Sequence, residues 1–506
     1  MTEKRPNILL FCVDQMQSYC LGANGHREVQ TPNLDALAKR GVNFTRAYVN
    51  NPVCMPSRAG IFTGRTPRDH GLLTNGCKLP ESIPTIVDAL RQSGYRTHAA
   101  GKLHLQPTGG PGDGSDRSLE GRRLWSDPSY DMPMPYYGFE SVDLASGHGF
   151  WCGGHYPRWL HEQDPDAHRL YRPEHSSYAP WPDDPARRGF RLDLPEELHY
   201  NQWIAQRSID FIEQQFDRQP FFLWCSFPDP HHPFAACRPY STMYDPASLT
   251  LPATFEHRED NCATLAAARM GNGFNSPPDE AALREILAQT YGMVSHVDAC
   301  VGRVLNVLKQ RGLADNTLIG FISDHGDYLG SHGLLLKAIF PYEEVWRVPM
   351  IWHLPTGGDT QAEQGVVSLL DVAPTLADAA GLPSDWYETR GFGAGPRPGL
   401  PGRSLFARIA GERLTDPRPA LIEYDEDCHG DMPLCRQRGL VTERYKLVTF
   451  AGRNDGVLFD LQEDPLETVN RFDDAEFLNL RSELTGDLLD RLILSERFDT
   501  RRYSHA

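Results

Sequence analysis

The chain has 506 residues, more than one compact core holds, so a large domain with a smaller companion is expected. Hydrophobic residues make up 40% and charged residues 23%, an ordinary globular balance, and no apolar run approaches a membrane span. The formal charge of −17 excludes a general nucleic-acid binder, which needs a basic footprint, and makes an anionic substrate depend on local cations.

Eleven cysteines, an odd number without framework spacing, read as reduced thiols. The first residues run straight into a strand-like segment, which leaves no room for a signal peptide. Both features lead to the expectation of a cytoplasmic protein. Asn7 to Val13 is a short apolar run closed by Asp14 and Gln15. Such a run reads as a strand buried on both faces, the mark of a parallel sheet. Thr31 to Gly41 follows as a helix, with Pro32 in its first turn and a closing glycine. In Cys54-Met55-Pro56-Ser57-Arg58, Pro56 suits a helix start, so Cys54 is expected near a helix N-terminus, where free N–H groups favour an anion. Ser82 to Ser93 is a further helix, and Thr97 to Ala100 a further strand, with Lys102 and His104 just beyond it.

Leu105 to about Pro195 is rich in Gly, Pro, Asp, Arg and aromatics, among them Trp125, Trp151, Trp159 and Trp181. An insertion this long is expected to be ordered, either walling the active site or serving packing and oligomer contact. Phe221 to Phe227 is the second buried strand, followed by Asp229, His231 and His232. Asp279 to Arg311 carries an apolar stripe at helical spacing and reads as core. Thr317 to Ser323 is the third buried strand, followed by Asp324 and His325. Ligand sites in open α/β sheets lie beyond the carboxyl ends of strands, so these strand ends fit one shared site. Pro383 to Pro401 is Gly/Pro-rich and reads as a linker. Beyond it, four short strand-like runs between Ala420 and Leu461 predict a small antiparallel sheet, with a helix from about Ala475 to Leu494. The expected division is a catalytic α/β domain over 1–383, a linker over 384–401 and an α+β subdomain over 402–506.

Three segments in this order, Asn51 to Gly64, Gly94 to His104 and Ser323 to Gly333, resemble the formylglycine sulfatases of the alkaline phosphatase superfamily. The resemblance runs from Pro6 to about Pro383, with a weaker echo to about Asn470. It implies an alkaline phosphatase-like fold: a large mixed, mostly parallel sheet flanked by helices, with a smaller C-terminal antiparallel sheet. It implies that a formylglycine-generating enzyme reads Cys54-x-Pro56-x-Arg58 and oxidises Cys54. The hydrated aldehyde then attacks the sulfur of a sulfate monoester, and a sulfated hemiacetal releases sulfate. The family usually has a small residue where this chain has Met55.

By the same resemblance, Asp14, Asp324, His325 and the converted Cys54 hold one divalent ion. Many relatives have Asp at Gln15 and Asn at His325. Loss of that carboxylate and gain of an imidazole shift the expected ion from Ca²⁺ toward Mn²⁺, with Ca²⁺ the alternative. Arg58, Lys102 and Lys337 match the cations around the nucleophile and sulfate, and His104 and His231 the acid/base pair. His232, Gln15 and Asn75 match substrate-contacting positions. The implied partners are a small sulfate ester and the maturing enzyme, with no nucleic acid or membrane; self-association is left open, and the tail Arg501 to Ala506 is either a free end or an intersubunit arm. Gln15 and His325 also resemble the phosphonate monoester and phosphodiester hydrolases, which makes that chemistry the second reading. A non-catalytic binder of sulfated ligands is a remote third.

Overall fold

The computed structural model describes residues 5–109, 118–171, 189–215, 219–258, 262–271, 279–355, 362–387, 399–414, 418–426 and 435–495. Trp181, most of the expected linker and the C-terminal tail lie outside the described residues.

An eight-stranded sheet organises the chain. Its order is Val42–Asn43, Met350–His353, Thr317–Ser323, Asn7–Val13, Phe221–Phe227, Arg96–Gly101, Ser141–Ser146 and Gly153–Gly154. The five strands from Thr317–Ser323 to Ser141–Ser146 are mutually parallel, and the outer ones are antiparallel. The three apolar runs expected as buried strands are the three adjacent central ones, each buried along its whole length.

The pleat sends alternate side chains to opposite faces. Ile8, Leu10 and Cys12 join one apolar cluster with Ile61, Phe62, Ile86 and Leu90. Leu9, Phe11 and Val13 join the other, with Leu34, Ile204, Ile209, Leu287 and Val294. Helices therefore cover both faces, as a parallel sheet requires. They include Cys54–Thr63 and Ile86–Gln92 on one side and Pro32–Arg40, Tyr200–Glu213 and the 31-residue Glu280–Gln310 on the other. Thr85 and Asp88 form a capping box at Ile86, and the Asp279 side chain caps Glu280–Gln310.

The C-terminal sheet is antiparallel throughout, in the order Ala420–Glu426, Cys435–Val441, Tyr445–Phe450 and Gly456–Asp460. One face packs Leu421, Leu440, Leu447 and Leu458 against Phe472 and against Leu484 and Leu488 of the Leu478–Ser495 helix. The other face, with Ile422, Val441, Val448 and Phe459, belongs to the first cluster of the main sheet. The small sheet thus extends the main core. It also braces the segment before Cys54: the Glu423 N–H donates to Asn50 O at 3.0 Å, and Asn51 Nδ2 donates to Glu423 O at 2.6 Å.

Candidate active site

Parallel register brings the central strand ends level: Val13 pairs with both Phe227 and Ser323, and Gly101 with Ser226. The residues that follow these ends are Asp14, His231, Asp324 and Lys102, and they converge. Opposite them the Cys54–Thr63 helix begins at Cys54, and all ten of its residues are buried. Its Val53 cap position has no side-chain cap of its own. Asn75 serves instead, its Oδ1 accepting the Met55 N–H at 3.2 Å.

Cys54 Sγ lies 3.1 Å from His325 Nε2, 3.2 Å from Lys337 Nζ and 3.7 Å from Asp14 Oδ1. His325 Nε2 is 3.4 Å from Asp14 Oδ1 and 3.8 Å from Asp324 Oδ1. These four donor atoms surround one point in a completely buried cage. The supports fit a metal site. His325 Nδ1 donates to Gly326 O at 2.8 Å, so in the neutral ring the lone pair is on Nε2, which is aimed at Cys54 Sγ. Asp324 Oδ1 accepts the Gln15 and His325 N–H groups at 3.1 and 2.9 Å, while Oδ2 holds Arg58 Nε at 2.7 Å. Asp14 turns Oδ2 to the Lys102 ammonium and to His148 Nε2, the latter at 3.1 Å. Each carboxylate is clamped on one side and faces the cage with the other.

The cations divide their work. Arg58 is wholly buried and ties Asp324 to Lys102 O at 3.0 Å and to Ser226 Oγ at 2.9 Å. Lys102 sits on Asp14. Lys337 is the cation that touches the sulfur, and it also contacts Gln15 Oε1 at 2.8 Å and His231 Nε2 at 2.9 Å. Gln15 keeps its side chain off the cage, with Nε2 on Asp327 and 3.3 Å from His232 Nδ1. His104 follows the strand in a left-handed conformation at φ 60°, and its buried Nδ1 has no hydrogen-bond partner in the protein.

Charge sets the protonation states. Burial pushes the Asp14 carboxyl up, but Lys102 and the neighbouring histidines outweigh it and hold it well below the usual range. Burial and Asp14 push the Cys54 thiol up; Lys337, Lys102 and His325 reverse this and leave it lowered. Burial, joined by Lys102 for His104 and by His148, His232 and Lys337 for His231, holds both imidazoles well below the usual range. Both are neutral near pH 7.

His148 is the residue that sequence reasoning missed. It comes from the long loop-rich stretch, stacks on His231 with ring centroids 3.4 Å apart, and meets Lys102 Nζ at 2.7 Å. A lone histidine between glycines carries no spacing signal. Asp229 stood out at its strand end but was given no role. Burial raises its carboxyl to about 7, although Tyr200 and Asn201 hydrogen-bond to it. A separate buried group, His199, Cys237 and His296, lies outside this site. There His199 Nδ1 accepts the Asn201 N–H at 3.2 Å, so its Nε2 keeps the proton and is not a ligand atom.

Comparison with known proteins agrees with this geometry. Residues 6–382 match the family model described as Sulfatase, and residues 330–493 match that described as N-sulphoglucosamine sulphohydrolase, C-terminal. The chain is 28% identical to an arylsulfatase of Clostridium perfringens, covering 94% of this chain and 91% of that protein. It is 27% identical to a choline-sulfatase of Rhizobium meliloti, covering 93% and 83%. Among solved structures, the phosphonate monoester hydrolase of Agrobacterium radiobacter superposes with a TM-score of 0.79 at 27% identity, covering 97% of this chain and 96% of that one. The chain belongs to the sulfatase family of the alkaline phosphatase superfamily, the sulfuric ester hydrolases.

Proposed function

We propose that the protein hydrolyses sulfate monoesters of the aryl type through residue 54, converted from Cys to formylglycine, beside one divalent ion. The observation that carries this reading is the position of Cys54 Sγ, between Lys337 and the Asp14–Asp324–His325 donors at a helix start. A bound ion would acidify the attacking hydroxyl of the hydrated residue and neutralise a sulfate oxygen. Mn²⁺ is favoured over Ca²⁺ because an imidazole nitrogen completes the donor set and Gln15 supplies no carboxylate.

The chain's own groups supply the rest. Lys337 and the helix N-terminus stabilise negative charge at residue 54. Lys102 and Arg58 hold the two carboxylates in place and add positive charge behind them. His231, neutral and in contact with Lys337, accepts a proton from the second hydroxyl; His104 and Lys102 flank the leaving oxygen. Maturation requires a formylglycine-generating enzyme. The ten described cysteines are free thiols, which supports a reducing, cytoplasmic setting. No described helix is long and apolar enough to cross a membrane.

Phosphonate monoester or phosphodiester hydrolysis is the second reading, favoured by the Gln15 and His325 positions and by the likeness to the Agrobacterium hydrolase. Steady-state kinetics on an aryl sulfate and a phenyl phosphonate separates the two. The wild type should have the higher kcat/KM on the sulfate. Removing one preorganised charge typically costs about a hundredfold to a thousandfold, and Lys102→Ala should lose at least about tenfold more on the sulfate than on the phosphonate. A wild type faster on the phosphonate, with Lys102→Ala nearly silent on the sulfate, selects the second reading.

A further inference from the structure

The cage around residue 54 has a property that depends on the chemical state of that residue. With the side chain still a cysteine, the donors are one sulfur, one imidazole nitrogen and two carboxylate oxygens. Four of the distances between them are 3.1, 3.7, 3.4 and 3.8 Å. A tetrahedral ion bound at about 2.3 Å to sulfur and about 2.0–2.2 Å to nitrogen and oxygen has donor–donor edges of about 3.3–3.7 Å. The cage already has nearly these dimensions. All four residues are buried, His325 presents its free Nε2, and both carboxylates are clamped from behind. Lys337 beside the sulfur favours the thiolate.

We propose that the chemical state of residue 54 sets the metal selectivity: the unconverted chain takes a thiophilic ion of the Zn²⁺ type, bound through Cys54 thiolate, Asp14, Asp324 and His325, and the converted chain, without the thiolate, discriminates less against a harder ion. On binding, the S–H bond breaks, its proton leaves to solvent, and a sulfur–metal bond forms without any redox change. Four protein ligands close a tetrahedral site, the arrangement of a structural zinc centre with no position for substrate. Thiolate is a soft ligand and widens the preference for Zn²⁺ over Mn²⁺ or Ca²⁺, whereas an oxygen at the same position narrows it. Unconverted protein would then be a zinc-filled, inert form of the same fold. The comparison arm rests on the proposed conversion of residue 54; the unconverted arm does not.

The test begins with full-length protein made without the maturing enzyme, stripped with a chelator and titrated with Co²⁺. One equivalent should bind with a near-ultraviolet thiolate-to-cobalt charge-transfer band. Zn²⁺ should displace it, and an excess of about tenfold of Mn²⁺ or Ca²⁺ should not. Cys54→Ser should lose the band, and Cys237→Ser, which alters the other buried Cys–His group, should keep it. Circular dichroism and thermal unfolding check that both variants fold. Absence of the band in the folded wild type, or its persistence in folded Cys54→Ser, overturns the proposal. In the second arm, protein made with the maturing enzyme should show no band and a smaller preference for Zn²⁺ over Mn²⁺; the same preference in both preparations overturns the selection. A converted chain that turns over sulfate ester, beside an unconverted chain without the band, refutes this inference alone. A band in the unconverted chain, beside a converted chain without turnover, refutes the proposed function alone.

Discussion

Asp324 uses its two oxygens differently, Oδ1 facing the cage and Oδ2 pairing with Arg58, which is 0% exposed. Asp324→Ala should therefore do two things. It removes a charged ligand that no neighbour replaces, so metal loading by elemental analysis should fall to background. It also takes the Nε partner from a buried guanidinium whose remaining carboxylate, Asp14, lies 3.7 Å away, a loss of up to about 3–5 kcal/mol that denaturant unfolding would read. Full metal occupancy in the variant would refute the ligand assignment. The histidines carry the pH prediction. His104 and His231 are lowered by burial and by neighbouring charge, so they stay neutral as the pH falls through the ordinary histidine range near 6.5. If the neutral form is the active base, the acid limb of kcat/KM lies below about 6.5. An acid limb at or above that value, lost in His231→Ala, would mean that substrate-free His231 is not held neutral.

Two elements aim the chemistry. The Arg96–Gly101 strand ends on a glycine at φ +102°, where an added Cβ would meet Ser226 O at 1.9 Å. That carbonyl also accepts the Lys102 N–H at 3.0 Å. Gly101→Ala should push the strand end away from its neighbour, carry Lys102 off Asp14, and cost about 1–3 kcal/mol together with activity. Gly25 is a control with a similar φ of +96° and open space around it. Gly25→Ala should cost only backbone strain, about 1–2 kcal/mol, with unchanged kcat. The Cys54–Thr63 helix bears on maturation. Every one of its residues is buried, Cys54 at 1% exposure, so an enzyme that reads Cys54, Pro56 and Arg58 must meet them before the chain folds. Peptide mass analysis should find conversion when the maturing enzyme is present during synthesis and none when it is added to the folded protein.

At the scale of the whole molecule, Lys446 joins the C-terminal sheet to the catalytic core. It is buried and pairs with Glu343 at 2.8 Å and Glu467 at 2.6 Å. Lys446→Met would leave two buried carboxylates without this cation, although Arg347 stays 3.4 Å from Glu343. Breaking such a network costs about 3–5 kcal/mol. Because the inner face of the sheet shares the main apolar cluster, the loss should appear as one cooperative transition at lower temperature. A separate early transition in calorimetry, with the active-site metal still bound, would make the C-terminal sheet an independent unit.

The local pattern was enough for the central sheet and most of the site. Runs such as Ile8–Val13 and Leu318–Ile322 carry no polar side chain because both faces of a parallel strand are covered, and the polar residues that follow each run lie at the strand's carboxyl end. Asp14, Lys102, His231 and Asp324 could therefore be assigned to one site from order and spacing alone. Pro56, permitted in a first helical turn, put Cys54 at a helix start, and its place in the site came from the resemblance. Other features depended on contacts distant in sequence. His148 reaches Asp14 across 134 residues, and no spacing rule places a single loop histidine. Asn75 matches a substrate-contact position by resemblance, and its carbonyl oxygen's bond to the uncapped start of the Cys54–Thr63 helix is a contact no spacing announces. The alternation of Ala420–Glu426 reveals a strand with two distinct faces, not which surface covers each. Periodicity is set along the chain, so the sequence alone determined the elements and the order of their ends. Burial, tautomer and charge balance arise only when distant segments pack, so the cage around Cys54, its protonation and the fusion of the two sheets were decided by the tertiary structure.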